Sequence, residues 1–425
     1  GIFNLPPQSK DCGIIVLTRS GSAPLPCRRK RWISLLVSPQ GLTRIPLHRT
    51  EGMAIYLDSN ATTQVHPRVI EAMMPFLTDA WHNPSSGYRA GREVKKAVEN
   101  ARDQIASLIG ALPEEIVFTG CGTESNSTVI KSLAREIGRK RSKVLVSEIE
   151  HSAVLRPVEA MAAVGFDVET VGVHADGRLD LDAFRSAVKS DRPGFASVMW
   201  ANNETGVIQP LPEVCAIAKA AGWFVHTDAI QAVGKIPLRV DVVPVDYLSI
   251  SGHKFHAPKG VGALFIRKGA PLEPMIRGGG QESGRRSGTE NVPYIVALGA
   301  AAEIIKSELE NGGIDRVTRL RDRFERGLCE RLKRVQVNGS REHRTGNIAH
   351  LSFGGLTASN LLPLLDERGL QCSAGSACMT GKGNPSHVQK AMGYSDERAF
   401  SSLRLSLSLF TTEQEIDEAI QILVA

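Results

Sequence analysis

Lys254 is the residue whose position most clearly suggests chemistry. It follows an apolar run over residues 247–250 and precedes a segment rich in Pro and Gly. Such a run predicts a buried strand. A lysine at its end can have a lowered pKa and an amine able to attack a carbonyl carbon. A surface lysine in a turn is the simpler interpretation, so the choice depends on other groups along the chain.

Two of those groups could hold a phosphate and a pyridine ring. Gly122 and Thr123 follow an apolar run and open a helical pattern, where backbone N–H groups and the helix dipole favour an anion. Asp228 ends another run, and a carboxylate there can pair with a protonated pyridine nitrogen. Taken singly, a structural glycine turn and a helix N-cap explain these residues as well.

Further polar residues follow the other predicted strands. Gln231 could bond a phenolic oxygen, His151 could stack on a ring, and the segment containing Asn203 supplies amide donors. Ser251 and His253 could hold the phosphate. Together with the lysine, these are the groups that a pyridoxal phosphate (PLP) site needs, and their joint presence favours a site over a surface lysine.

Cys378 lies in a different setting. Small residues and three glycines surround it over residues 375–383, and this composition predicts a mobile loop. A thiolate on such a loop could attack a substrate and then carry a group away. An inert buried cysteine is the alternative, and Cys372, in an apolar run just before the loop, fits that description better.

The predicted elements explain how these residues could meet. Seven short apolar runs, mostly separated by helical patterns, predict an α/β fold with a mainly parallel sheet, in which ligands bind at the carboxyl ends of the strands. The runs cover residues 115–119, 143–147, 167–171, 196–200, 224–227, 247–250 and 263–266. One helix over residues 94–109 is expected to end at Gly110.

The pattern changes after a long helical stretch over residues 292–333. Shorter, mixed patterns then predict strands at residues 348–353 and 403–407 and a helix at 413–424. We therefore expect a second, smaller α+β domain in this part of the chain.

Composition excludes several classes of protein. Residues 1–52 carry eight Lys or Arg and two acidic residues, so this segment accounts for the whole net charge of +6. The neutral remainder gives no reason to expect nucleic-acid binding, and no apolar run approaches the ~20 residues of a membrane span. Residues 1–52 could be a transit-type peptide or sequence upstream of the true start, and the prolines there favour the second interpretation.

The cysteines indicate the compartment. Seven are present, an odd number without a C-x-x-C motif, which argues against a disulfide framework and a structural zinc site. His253 and His256 could suggest a metal pair, but no third ligand has a recognisable spacing, so we predict no metal site. A reducing, cytoplasmic location is expected.

Residues 53–425 resemble the cysteine desulfurases, PLP enzymes of class V and fold type I. The resemblance is greatest to the nitrogen-fixation and iron–sulfur-assembly branch. In family order, the matching segments are residues 56–63, 118–125, 150–151, 202–206, 228–231, 251–254, 278–292, 375–378 and 402–407. The resemblance implies a large domain over residues 67–310 that contains a seven-stranded sheet. A small domain of residues 53–66 and 311–425 would carry the cysteine loop.

The resemblance also implies roles for individual residues. Lys254 would hold PLP as a Schiff base and move protons, His151 would act as acid or base, and Cys378 would take up sulfur as a persulfide. The residues expected to bind the cofactor are Gly122, Thr123, His151, Asn203, Asp228, Gln231, Ser251, His253, Lys254 and Thr289. Those expected to bind the substrate carboxylate are Asn83, Asn203 and Arg404.

The implied activity converts L-cysteine to L-alanine. Sulfur would pass from Cys378 to an iron–sulfur scaffold or another acceptor protein. During this transfer Cys378 could also ligate an iron–sulfur cluster transiently. Thr289 would reach the phosphate in the partner subunit of a homodimer. A selenocysteine lyase or another class V aminotransferase is the alternative, although an aminotransferase has no use for a mobile thiol. A non-catalytic sulfur-transfer scaffold would not need Lys254 and Asp228.

Overall fold

The computed structural model describes residues 54–138, 143–189, 194–374 and 384–425. In these ranges the strands are β1 (Ile55–Tyr56), β2 (Ile116–Thr119), β3 (Lys143–Ser147), β4 (Asp167–Val171), β5 (Phe195–Ser197), β6 (Phe224–Asp228), β7 (Tyr247–Ser251), β8 (Gly262–Ile266), β9 (Val335–Val337), β10 (Ile348–Phe353), β11 (Leu370–Gln371) and β12 (Ser402–Ser406).

The α-helices in the same ranges are α1 (Pro67–Met73), α2 (Pro75–Thr78), α3 (Arg89–Ile109), α4 (Gly122–Ile137), α5 (Ser152–Ala163), α6 (Leu181–Val188), α7 (Leu211–Ala220), α8 (Val292–Glu310), α9 (Gly313–Arg331), α10 (Ala358–Glu367), α11 (His387–Ala391), α12 (Asp396–Phe400) and α13 (Glu413–Val424). Short 3-10 turns cover Pro113–Glu115, Gly252–Lys254 and Glu282–Gly284.

A seven-stranded sheet forms the centre of the larger part of the fold. Its strand order is β2-β8-β7-β6-β5-β3-β4. Strand β8 runs antiparallel to both neighbours, and the other pairs are parallel. Each predicted apolar run corresponds to one of these strands, which confirms the prediction of a mainly parallel α/β sheet.

Burial on both faces explains why these strands are apolar runs and do not alternate. Every residue of β2, β7 and β8 is buried. Helix α3 packs its buried stripe against the core and ends at Gly110, whose φ of 70° is the left-handed C-cap that its sequence predicts. The central strands therefore hold the ends of β6 and β7 in fixed positions.

A second core lies around an antiparallel sheet of order β12-β10-β9 and a two-stranded parallel pair of β1 and β11. Helices α9, α10 and α13 contribute further apolar residues to it. The predicted long helical stretch over residues 292–333 is divided into α8 and α9, because Gly312 adopts a φ of 77° that no helix interior allows. The division into domains at residues 66 and 310 stays a prediction.

The helices of the described ranges can be compared with the requirements of a membrane-spanning helix. No helix there combines the length and the apolar character needed to cross a bilayer.

Candidate active site

Lys254 lies in the 3-10 turn that directly follows β7. Its Nζ donates hydrogen bonds to the backbone oxygens of Asn60, at 2.6 Å, and Ala61, at 2.8 Å. Burial, and secondarily the positive charge of Arg404, lowers the pKa of Lys254 to about 8. About a tenth of the amine is therefore unprotonated at pH 7, far more than for an ordinary lysine, and the unprotonated amine is the nucleophile.

Asp228 ends the neighbouring strand β6 and is 4% exposed. Its Oδ2 accepts from Nδ2 of Asn126 at 2.7 Å, and its Oδ1 accepts from the backbone N–H of Ile230 at 3.0 Å. Burial raises the pKa of this carboxyl, while those two donors, His151 and Lys254 favour its charged form. Asn126 was missed from the sequence, although it lies one helical turn after Gly122.

The start of α4 makes a confined anion site beside these residues. A Cβ on Gly122 would lie 2.1 Å from Cδ1 of Ile230 and 3.3 Å from Cβ of Ser251, so close packing against these side chains favours glycine here. The N-cap residue Cys121 makes no side-chain cap bond, and Thr123 is exposed beside it. The first N–H groups of α4 therefore have no side-chain cap in this part of the structure.

His253, which the sequence suggests as a phosphate ligand, contacts a threonine hydroxyl through one ring nitrogen. Its Nδ1 lies 3.2 Å from Oγ1 of Thr62. Burial, with Lys254 and other nearby lysines, lowers the pKa of His253 to about 4. The ring is therefore neutral at pH 7 and could contribute one N–H donor.

His151 lies at the N-terminus of α5, where its Nδ1 accepts from the backbone N–H of Ala153 at 3.1 Å. Burial is the largest cause that lowers the pKa of His151, and the positive charge of Lys254 adds to it while the charge of Asp228 opposes it. The imidazole is therefore neutral at pH 7 and could accept a proton through Nε2.

Gln231 is 5% exposed and lies within a small polar network. Its Nε2 donates to the backbone oxygen of Asn60 at 3.1 Å, and its Oε1 accepts from Nζ of Lys235. Asn60, 1% exposed, and Lys235, 8% exposed, were not singled out from the sequence. The four-residue spacing from Gln231 to Lys235 was the only local signal.

Arg404, on β12, is already paired. Its Nη2 donates to Oδ1 of Asp58 at 2.8 Å, and its Nη1 donates to the backbone oxygen of Asn203 at 3.1 Å. Oδ2 of Asp58 accepts from Oγ of Ser373 at 2.8 Å. A substrate carboxylate at Arg404 would therefore share this guanidinium with Asp58, a residue to which the sequence assigned no role.

The remaining predicted residues are only partly connected to this cluster. Asn83 is exposed, and its Oδ1 accepts from the backbone N–H of Ser85 at 2.8 Å. Thr289 is also exposed. Cys378 and its predicted loop lie outside the described residues. Cys372 is half-buried, and burial raises its pKa to about 12, which suits the inert role predicted for it.

The residues present fit PLP. Asp228 is a buried carboxylate whose hydrogen-bond partners are uncharged amides, so it can accept from a protonated ring nitrogen. The first N–H groups of α4, which begins at Gly122 without a side-chain cap, could bind a phosphate. Lys254 presents a half-buried amine at the adjacent strand end. These three features are the carboxylate, phosphate and amine partners of that cofactor.

Comparison with known proteins identifies the family. Residues 55–419 match the model of the family described as aminotransferase class-V. A cysteine desulfurase of Gluconacetobacter diazotrophicus is 45% identical over 87% of this chain and 92% of its own length. The cysteine desulfurase NifS of Azotobacter vinelandii is 43% identical over 86% of this chain and 91% of its own.

Solved structures agree with these relatives. A NifS-like protein superposes with a TM-score of 0.81 at 37% identity, covering 87% of this chain and 98% of its own. The protein SspA, solved in complex with cysteine, superposes with a TM-score of 0.72 at 33% identity over 83% and 98% of the two chains. The chain belongs to the class V aminotransferase family and is a PLP-dependent enzyme with the fold-type-I architecture. Within that family it is a cysteine desulfurase, which confirms the prediction of its activity.

Proposed function

We propose that this chain carries out cysteine desulfuration with Lys254, His151 and Cys378 as its catalytic residues. The observation that supports the proposal most directly is the position of the half-buried Lys254 amine in the turn after β7, the strand that pairs with β6, which ends at Asp228. The bound cofactor supplies an electron sink for the substrate carbons. The other chemical steps belong to side chains of the chain itself.

Binding of L-cysteine would depend on Arg404. Among the described residues its Nε is buried without a partner, while Nη1 donates to Asn203 and Nη2 to Asp58. A carboxylate that reaches this group gains a charge-assisted hydrogen bond in a largely desolvated place. Asn203 and Asn83 would complete the substrate site.

Proton movement would depend on Lys254 and His151. The lysine amine, released when substrate binds, can remove the proton from the substrate's α-carbon because its pKa is lowered to about 8. His151, neutral at pH 7, can accept a proton from the incoming amino group or thiol. Both groups can return their protons to the product.

Sulfur transfer would use the Cys378 thiolate. It attacks the substrate sulfur, the C–S bond breaks, and its electron pair remains with the carbon, which is then protonated. L-Cysteine and the enzyme thiol thereby become L-alanine and an enzyme persulfide, so no external oxidant or reductant is needed. The persulfide sulfur would pass to an acceptor protein for iron–sulfur clusters or thio-cofactors.

Three further parts of the proposal concern the setting of the enzyme. The exposure of Thr289 allows it to reach the phosphate site of a partner subunit in a homodimer. The names of the relatives support iron–sulfur assembly as the pathway. The scattered cysteines support a cytoplasmic location.

Replacement of Cys378 by Ser tests the sulfur-transfer step. Substrate binding does not require the thiol, so cysteine should still perturb the absorbance of the bound cofactor. Alanine formation should fall roughly 10³-fold or more, because a serine hydroxyl cannot replace a thiolate nucleophile. The assay should use both cysteine and selenocysteine, which also compares the desulfurase with a selenocysteine lyase.

Cys372→Ser is the matched control, since this thiol has a pKa of about 12 and should affect turnover much less. Mass spectrometry of the cysteine-treated enzyme should locate the extra sulfur on Cys378. A persulfide on Cys372, or normal alanine formation by Cys378→Ser, would contradict the proposal.

A further inference from the structure

Lys235 is a buried lysine without an acidic partner. Its residue is 8% exposed, and no carboxylate among the described residues forms an ion pair with it. Its Nζ donates instead to Oε1 of Gln231 and, at 3.3 Å, to Oδ1 of Asn60. Burial of an amine in this way is costly, so these two uncharged contacts are the main compensation that the structure offers.

The number of acceptors indicates which form of the amine is present. A neutral amine has two N–H donors, which match the two oxygens, whereas an ammonium group would bury a third donor without an acceptor. Burial, together with the positive charges of Lys254 and Arg404, lowers the pKa of Lys235 well below its usual value. Lys235 therefore lies in the site as a donor to two side-chain oxygens, and its surroundings disfavour the charged form.

Two contacts together determine the orientation of the Gln231 amide. The backbone oxygen of Asn60 can only accept, so the amide nitrogen faces it, and the amide oxygen faces Lys235, which donates to that oxygen. That nitrogen donates to the backbone oxygen of Asn60 at 3.1 Å, the same oxygen that accepts from Lys254 at 2.6 Å. The donor end of Gln231 is thus beside the Lys254 amine.

Lys235 also fixes Asn60. Oδ1 of Asn60 accepts from Lys235 and from Nδ2 of Asn347 at 3.0 Å, and its Nδ2 donates to the backbone oxygen of Asn203 at 3.1 Å. The Asn60 side chain is therefore held from three sides. Its backbone oxygen keeps its place next to Lys254 as a result.

We propose that Lys235 is a positioning residue of the PLP site. Its amine holds Gln231 with the amide nitrogen directed at the phenolic oxygen of the cofactor, and it holds Asn60 where Asn60 supports Lys254. Without this contact the amide could turn and present its oxygen, which repels a phenolate oxygen and cannot donate to it. The inference rests on the proposed roles of Gln231 and Lys254.

Lys235→Met tests the proposal, since it removes both donors and keeps an unbranched side chain. PLP affinity should fall about tenfold, the effect of one hydrogen bond to the cofactor. The visible absorbance of the bound cofactor should titrate at a higher pH, because a phenolic oxygen without its donor holds a shared proton more tightly. The affinity and the titration are measured separately from turnover.

The partner variant shows whether Lys235 acts through Gln231. Gln231→Met should produce the same two changes, and the double variant should be no worse than Gln231→Met alone. Additive losses in the double variant would overturn the proposal. Unchanged affinity and titration in Gln231→Met would also overturn it, even if Lys235→Met did not fold.

Lys219→Met is the matched control. Lys219 is a partly buried lysine that pairs with Asp246, away from Gln231. Its loss should change the urea midpoint of unfolding without changing the cofactor titration. If Lys235→Met changed only the urea midpoint, Lys235 would be merely structural. If the wild-type protein bound no PLP, the failure would lie in the cofactor assignment and not in the role of Lys235.

Discussion

Two buried carboxyl groups near the site differ in the donors that reach them. Both oxygens of Asp228 accept hydrogen bonds. Glu150 instead has one oxygen that accepts from Ser147, at 2.5 Å, and Met199, at 2.6 Å, while the other oxygen is buried without a partner. Burial raises the pKa of Glu150 to about 8. Asp228 is thus equipped to remain an anion, whereas Glu150 holds a proton at pH 7.

This difference predicts a pH dependence of stability. The usual pKa of a glutamate is 4.5, and in the folded chain it is about 8. Between these values the folded state holds a proton that the unfolded state has lost, so stability falls as pH rises. Relative to Glu150→Gln, which cannot ionise, the wild type should lose about 2–3 kcal/mol between pH 5.5 and 7.5. Urea unfolding at fixed PLP concentration measures this.

Glu159→Gln is the control for that experiment, since Glu159 is exposed and pairs with Arg156 on the helix surface. Its stability should follow the wild type at every pH. If the free energy of unfolding changed with pH in the same way for the wild type and Glu150→Gln, Glu150 would be ionised at pH 7 and burial would not control its pKa.

At the scale of elements, the periodicity of the sequence predicted the strands of the main sheet and the residues at the ends of those strands. The apolar runs identified all seven strands of the main sheet, and Lys254 and Asp228 were placed correctly at strand ends. Strand β5 is shorter than predicted and ends at Ser197, although the N–H groups of Val198 and Trp200 still donate to backbone oxygens of β6. The break between α8 and α9 was missed, although Gly312 and Gly313 signal it.

Contacts between residues distant in the chain could not be predicted in this way. Asn60 meets Lys235 across 175 residues and Asn347 across 287. Neither contact leaves a periodic signal, and a lone lysine is usually a surface residue. Asp58 could be located only as part of a family motif, and its pairing with Arg404 required the fold.

A buried ion pair joins helix α3 to the segment that carries Thr289. Nη1 and Nη2 of Arg102 donate to Glu282 at 2.7 and 2.8 Å, and Glu282 also accepts from the backbone N–H of Phe118 on β2 at 2.9 Å. The carboxylate pairs with a guanidinium that is itself buried. This pair fixes the segment against the main sheet.

Arg102→Met should therefore be strongly destabilising, since it leaves the Glu282 charge buried without its partner. A loss of about 3–5 kcal/mol in the free energy of unfolding is expected. Arg156→Met, which breaks an exposed pair with Glu159, should cost less than about 1 kcal/mol. Urea unfolding of the two variants compares them, and equal losses would show that burial of the Arg102 pair is unimportant.

At the scale of the whole molecule, the segment around Asn60 connects the two sheets. Its backbone N–H donates to Oγ of Ser406 on β12 at 2.9 Å, while its carbonyl accepts from Lys254 beyond β7. Strand β1 pairs with β11 through Ile55 and Leu370. Residues 54–63 are therefore part of both the fold and the site.

Deletion of residues 1–52 tests the predicted boundary at residue 53. The family match begins at residue 55, and the first described contact, from the N–H of Ile55 to the oxygen of Gly369, begins at the same place. The shortened chain should keep its cofactor, its assembly state and its turnover within about twofold, because no described contact is removed. It should also lose the whole net charge of +6 and elute earlier from a cation-exchange column.

Deletion of residues 1–58 is the matched control, since six more residues remove β1 and the Asp58 partner of Arg404. That protein should lose stability and cysteine turnover, because Arg404 is left as an unpaired buried cation and β11 loses its neighbour. Gel filtration, cofactor absorbance and alanine formation compare the two proteins. Loss of cofactor or of assembly already in the shorter deletion would show that residues 1–52 belong to the folded enzyme, and the boundary at residue 53 would then be wrong.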